Sequence, residues 1–206
     1  MSQSDPLVLI VSGPSGSGKS TLVQRILELP GTMLSVSCTT RPPRNTESDG
    51  KWYNFVTEEE FQQMVARGDF LEYAQVFGKH WYGTPRKWID LARAQKKDLV
   101  LEIDVQGALQ VKRKLPDAMA VFVLPPSRAD LEKRIRARGQ DSEEEIVRRL
   151  ERARQEMLSY SSYDFAIIND NLERAGQEAQ AIAVGSRCQV ARNEDLIREI
   201  LKSFGG

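Results

Sequence analysis

The chain has 206 residues, 40% of them hydrophobic and 28% charged, with 29 lysines and arginines set against 29 aspartates and glutamates. That length supports one globular unit with small appendages, and the composition argues against wholesale disorder. A neutral total gives no reason to expect bulk attraction to nucleic acid or to a membrane.

The two cysteines, Cys38 and Cys188, are too few for a disulfide framework and lack metal-ligand spacing. Met1 to Pro6 is polar and holds no apolar signal-peptide core. No apolar run reaches membrane-spanning length, so the expectation is a soluble, cytoplasmic protein.

Leu7 to Ser12 (LVLIVS) is a continuous apolar, β-branched run, the pattern of a strand buried on both faces. A Gly-rich loop follows. A helix is then expected over Thr21 to Leu29, with Leu22, Val23, Ile26 and Leu27 at helical spacing and Pro30-Gly31 as its stop. Strand, Gly loop, helix is the opening unit of a parallel α/β sheet. The loop Gly13-Pro14-Ser15-Gly16-Ser17-Gly18-Lys19-Ser20 fits G-x-x-x-x-G-K-[ST] in full. Its glycines let successive backbone N–H groups point at phosphate oxygens, and the following helix adds the positive end of its dipole. Lys19 can reach the β- and γ-phosphates, and the Ser20 hydroxyl can ligate Mg²⁺. The motif implies binding of a nucleoside triphosphate and leaves motor, GTPase, transporter and kinase open.

Residues 36 to 87 read as a mixed insert between the first and second core strands. β-like pieces at Trp52 to Val56 and Phe70 to Phe77 surround a short helix opened by Thr57 with Glu60 as its capping partner. Ser37-Cys38-Thr39-Thr40-Arg41-Pro42-Pro43-Arg44 sets two arginines three apart in a proline-restrained loop. Two such planar forks can hold a monophosphate, and an exposed basic loop is the competing reading. Cys38 reads as a packed residue, His80 as a surface one, and Trp52, Trp81 and Trp88 as packing groups.

Further core strands are expected at Leu99 to Ile103, Ala120 to Leu124 and Phe165 to Ile168. Asp104 closes the LVLEID run, either as a Walker B acid or as a plain strand-end cap. Ser127 to Arg138 forms a capped helix, Gly139-Gln140-Asp141 a turn, and Ser142 with Glu145 a capping box for a longer helix. This pair carries more arginine than a core pair needs. The tail from Gly185 ends in an amphipathic helix bearing Leu196, Ile197, Ile200 and Leu201, for which docking on its own core is expected.

SCTTRPPR, then Gly50-Lys51-Trp52-Tyr53-Asn54-Phe55, Phe70-Leu71-Glu72-Tyr73-Ala74, Tyr82-Gly83-Thr84 and Ile103-Asp104-Val105-Gln106-Gly107 follow one another in an order and spacing that resembles the guanylate kinases. The resemblance runs on through Leu124-Pro125-Pro126-Ser127, Arg134 to Gly139 and Ile168-Asn169-Asp170, covering about residues 7 to 183. It implies a P-loop kinase with a parallel-sheet core (1–35, 88–126 and 161–206), a mixed α+β GMP-binding insert (36–87) and a helical lid (127–160). It also implies transfer of the γ-phosphoryl group of ATP to GMP with Mg²⁺ as cofactor.

By the same resemblance, Gly13 to Ser20 with Thr21 cradle the ATP phosphates. Arg41, Arg44, Tyr53 and Tyr82 hold the GMP phosphate, and Ser37, Glu72, Thr84 and Asp104 contact guanine. Arg134, Arg138 and Arg149 are lid and helix arginines that close on ATP phosphates, and Asn169 is an adenine-side residue. Lys19, Arg44, Arg134, Arg138 and Arg149 make up the expected catalytic set. Glu102 stands where many members carry aspartate, which leaves its role open. The partners are the small molecules ATP and GMP, with no nucleic acid and no membrane, and the oligomeric state stays undecided. The rival readings are a kinase for another nucleoside monophosphate and a non-catalytic, phosphopeptide-binding scaffold of similar shape. A carboxylate pair accepting from guanine N1–H and the amino group favours GMP over AMP. The intact Lys19, Ser20, Arg134 and Arg138 favour the enzyme.

Overall fold

The computed structural model describes residues 5–43, 48–51, 53–76, 78–137 and 142–205. Arg44, Trp52, Phe77, Arg138 and the turn residues Gly139, Gln140 and Asp141, all named above, lie outside them.

In chain order the elements are β1 (Val8–Ser12), α1 (Lys19–Leu27), β2 (Thr32–Leu34), β3 (Cys38–Thr39), β4 (Asn54–Phe55), α2 (Glu58–Ala66), β5 (Phe70–Val76), β6 (His80–Pro85), α3 (Lys87–Gln95), β7 (Asp98–Glu102), α4 (Val105–Lys114), β8 (Met119–Leu124), α5 (Arg128–Arg136), α6 (Glu143–Met157), β9 (Phe165–Ile168), α7 (Leu172–Arg187) and α8 (Val190–Ser203). Five of the strands form a parallel sheet in the order β2-β7-β1-β8-β9.

The continuous apolar run of β1 has the double burial that its composition requires. Leu9 and Val11 pack with Leu22, Val23 and Ile26 of α1 and with the alanines of α7. Ile10, on the opposite face, packs with Leu99, Leu101, Ala108 and Val111. Helices on both faces of a parallel sheet place any ligand at the carboxyl ends of the strands, where the order turns around β1.

The insert builds a second sheet, β4-β3-β6-β5. Its small core is aromatic, with Phe61 stacked on Phe70 at 4.5 Å and on Trp81 at 5.9 Å between ring centroids. Thr57 and Glu60 form the expected capping box of α2. The insert follows two core strands in the chain and does not lie between the first and second. The extra strand, β2, has three residues, too few for a periodic signal, and is fixed by its ladder to β7.

Helices α5 and α6 enclose their own cluster of Leu131, Ile135, Ile146, Leu150 and Ala153. Only half of the expected Ser142 box forms. The hydroxyl accepts from the Glu145 N–H and donates to the Glu144 carboxylate at 2.9 Å, while the return bond from the Ser142 backbone N–H to the Glu145 carboxylate is not made among the described residues.

The tail corrects an expectation. Helix α8 buries none of its side chains, and Ile197, Ile200 and Leu201 remain 37%, 49% and 58% exposed. Its attachments are polar and sit at its beginning, where Asn193 donates to the carbonyls of Arg187 and Gln189. A chain ending at Gln189 should therefore melt within about 3 °C of the full chain, since less than about 1 kcal/mol of packing is lost. Differential scanning calorimetry of the two chains checks this.

Candidate active site

A cleft of about 560 Å³ opens at the carboxyl ends of β1 and β7, between the Gly-rich loop, the insert sheet and α6. Its volume suits a small-molecule ligand.

One wall is the loop between β1 and α1. Gly18 takes φ +96°, and a Cβ there would meet the Asn169 amide nitrogen at 2.2 Å, so only glycine fits. Asn169 is buried beneath the loop, where its amide donates to the Ser17 carbonyl at 2.8 Å. Arg134 approaches from α5 and donates to the Asn169 carbonyl at 2.6 Å and the Ser17 carbonyl at 3.3 Å. Asn169 and Arg134 thus brace the loop from behind. Lys19 folds back on the loop, donating to the carbonyls of Gly13 at 2.8 Å and Pro14 at 3.1 Å. The Ser20 hydroxyl donates to Glu102 Oε1 at 2.5 Å.

The facing wall is the insert. Glu72 on β5 and Thr84 on β6 are cross-strand partners, which sets their side chains on one face. Thr84 donates to Glu72 Oε1 at 2.7 Å, and the Ser37 hydroxyl lies 3.1 Å from Thr84 Oγ1. Burial, with help from the Asp104 charge and against the Thr84 hydrogen bond, pushes the Glu72 carboxyl up to about 7. Arg41 stands above the Tyr53 ring at 5.6 Å and donates to Tyr82 Oη at 3.2 Å. Tyr53 and Tyr82 meet edge to face at 5.6 Å.

The floor is the turn from β7 into α4. Asp104 Oδ1 accepts the Gly107 N–H at 2.8 Å, so the cap reading is realised. Its second oxygen, Oδ2, is buried without a hydrogen-bond partner among the described residues. A Cβ on Gly107 would stand 2.5 Å from Glu72 Oε2. Gly107→Ala must therefore displace a buried carboxyl that Thr84 holds in place. The variant should weaken the binding of a ligand held by Glu72 by about 10-fold or more in calorimetry, at the scale of one charged hydrogen bond. The affinity for a phosphate-bearing ligand on the Gly-rich loop should stay near its wild-type value in the same measurement.

Helix α6 closes the cleft. Arg149 donates to Ser15 Oγ at 2.7 Å, and Arg152 donates to Glu156 Oε1 at 2.8 Å. Burial raises the Glu156 carboxyl, opposed by that bond and by the charges of Arg152 and Lys19.

The cleft is thus lined by the expected Gly13, Ser15, Gly16, Gly18, Lys19, Ser20, Thr21, Ser37, Arg41, Tyr53, Glu72, Tyr82, Asp104 and Arg149. Pro14, Ser17, Thr84, Arg134 and Asn169 stand behind this lining. Glu102, Arg152, Glu156 and His80 also line it. The sequence leaves the role of Glu102 open, reads His80 as a surface residue and points to no role for Arg152 or Glu156. Cys38 is packed, and burial pushes its thiol up. Trp81 packs in the insert core and Trp88 donates to the Val36 carbonyl at 3.0 Å.

A parallel sheet whose first strand runs through a phosphate-cradling loop into a helix, with the insert sheet facing that loop across one cleft, defines a P-loop phosphotransferase of the nucleotide-kinase class. Residues 5–183 match the family model for guanylate kinase. The guanylate kinase of Caldanaerobacter subterraneus is 45% identical over 195 residues, 94% of each chain. That of Thermotoga maritima is 45% identical over 97% of this chain and 96% of its own. The crystal structure of guanylate kinase from Anaplasma phagocytophilum superimposes with a TM-score of 0.81 at 31% identity, covering 98% of this chain and 97% of that one. The chain belongs to the guanylate kinase family. Among the described residues no helix is long and apolar enough to cross a membrane.

Proposed function

We propose that this cleft is the active site of a guanylate kinase, with ATP on the Gly-rich loop and GMP against the insert. Family membership gives the reaction, transfer of the γ-phosphoryl group of ATP to GMP. The observation that carries the division of the cleft is the buried chain of Ser37, Thr84 and Glu72 facing Asp104 across from the phosphate loop. It presents carboxylate oxygens where guanine offers N1–H and amino donors. The Ser37 hydroxyl, whose hydrogen can turn from Thr84 to an incoming acceptor, stands beside them for O6. Arg41, framed by Tyr53 and Tyr82, is one of the two cations, with Arg44, for the GMP phosphate.

The phosphate of GMP is already anionic near neutrality, so no general base is required. The difficulty is to bring two polyanions together in line and without water. Lys19 swings from the loop carbonyls to the β- and γ-phosphates. Arg149 approaches them from α6, and Arg134 holds the loop that cradles them.

Ser20 Oγ beside Glu102 Oε1 is a pair of hard oxygen donors that fits Mg²⁺, with Ser20 as its direct ligand. Among the described residues no group of three or more His, Cys, Asp or Glu side chains is arranged to hold a metal. The remaining ligands of such an ion would be nucleotide phosphates and water. When bound, such an ion neutralises charge on the β- and γ-phosphate oxygens.

In this reading 1–35, 88–126 and 161–206 are the core, 36–87 the GMP-binding insert and 127–160 the lid. Closure of insert and lid on both substrates also protects ATP from water. A coupled assay of ADP release with ATP–Mg²⁺ and each of AMP, GMP, CMP, UMP and dTMP tests the assignment. Turnover concentrated on GMP is expected, and absence of GMP turnover in the folded protein overturns it.

A further inference from the structure

Helix α6 carries Arg149 and Arg152 three positions apart, on one face of the helix. Arg149 reaches the phosphate loop through Ser15 Oγ. Arg152 turns the other way. Its Nε donates to Glu156, and its Nη2 stands 3.9 Å from Asp104 Oδ2.

That oxygen is the one left without a hydrogen bond, because Oδ1 already caps α4 through Gly107. A buried carboxylate oxygen without a donor is costly. The Arg152 guanidinium is the cation within ion-pair distance of it among the described residues. Asp104 in turn acts electrostatically on Glu72, at the heart of the insert pocket. One helix face therefore touches the donor loop with one arginine and comes within ion-pair distance of the acceptor-side Asp104 with the next.

We infer that Arg152 is a positioning residue that couples the two substrate sites, tying the donor-loop helix α6 to Asp104 beside the guanine pocket. A donor nucleotide that engages Arg149 sets the position of α6, and with it the distance from Arg152 to Asp104. A guanine held by Asp104 and Glu72 fixes the other end of the same link. Coupling of this kind is reciprocal between the two ligands. A planar fork can serve Glu156 and Asp104 together, whereas a lysine point charge can satisfy only one of them well. The inference rests on the assignment of ATP to the loop and GMP to the insert.

The test is calorimetry of GMP binding to the full chain, alone and with a saturating non-hydrolysable ATP analogue and Mg²⁺, in wild type, Arg152→Ala and Arg152→Lys. In wild type the analogue should tighten GMP binding by a factor within the usual range of about 5 to 150. Arg152→Ala should bring that ratio close to one, whatever shift the separate affinities show, and Arg152→Lys should fall between. A merely structural role would weaken both affinities or lower the melting temperature while leaving the ratio intact. Wild-type coupling in folded Arg152→Ala overturns the inference. So does undiminished coupling in Arg152→Lys should the alanine variant fail to fold, or absence of coupling in wild type. A wild-type protein that neither binds nor phosphorylates GMP contradicts the underlying assignment instead, and the inference falls with it.

Discussion

Lys19→Ala should remain folded and lose about 10²- to 10³-fold in kcat, the scale of removing one preorganised electrostatic group from a transition state. Lys19 is a half-buried residue whose ammonium group bonds two carbonyls of its own loop, and the loop is braced independently by Asn169 and Arg134. Its removal therefore withdraws charge from the migrating phosphoryl group and leaves the support of the loop in place. Circular dichroism and single-turnover kinetics on the same sample separate the two effects. Near-normal turnover in the folded variant would remove Lys19 from the mechanism.

Glu72→Gln should have the second large effect, a loss of about 10- to 100-fold in kcat/KM for GMP, the worth of a charged hydrogen bond left unmade. The amide turns one acceptor into a donor facing guanine's own donors. The pH dependence carries the same signature. Burial holds the Glu72 carboxyl at about 7, and in the unfolded chain it returns to about 4.5. Free enzyme must ionise Glu72 to accept from guanine, so kcat/KM for GMP should rise with pH and level off above about 7. Stability responds in the opposite sense. Between those two values the folded protein keeps a proton that the unfolded chain has lost, so this group lowers stability as pH rises from about 4.5 to 7, by about 3 kcal/mol in all. Glu72→Gln should flatten both slopes, which pH-dependent kinetics and urea titrations read separately.

Much of the site was legible because its signals are local. The loop from Gly13 to Ser20 combines motif, preceding strand and following helix within a few residues, and the Thr57 to Glu60 cap is equally short-range. The group proposed to face guanine is suggested only by family resemblance. Nothing in the spacing of Ser37, Glu72 and Thr84 announces that β5 and β6 pair Glu72 with Thr84.

The contact between Ser20 and Glu102 joins residues far apart in the chain through the pairing of β1 with β7, and that from Arg152 to Asp104 arises only once α6 faces the end of β7 across the cleft. His80 looked like a solitary surface residue because the wall it belongs to is a pairing of strands, not a motif. The sequence alone does not show how Asn169 meets the phosphate loop. Its burial under the loop follows from the close approach that Gly18 permits. The tail misled because amphipathic spacing in α8 shows that a helix has an apolar face without showing that the face is covered.

The measurement that tests the account most directly is the ratio of kcat/KM for GMP to that for AMP in the wild-type protein, with IMP as the intermediate case. A pocket built from paired acceptors leaves its own polar groups buried and unmatched when the donor edge is missing. The ratio should therefore be about 10³ or more, with IMP, which keeps N1–H but lacks the amino group, falling between the two. A ratio near one would contradict a cleft in which Glu72 and Asp104 read guanine.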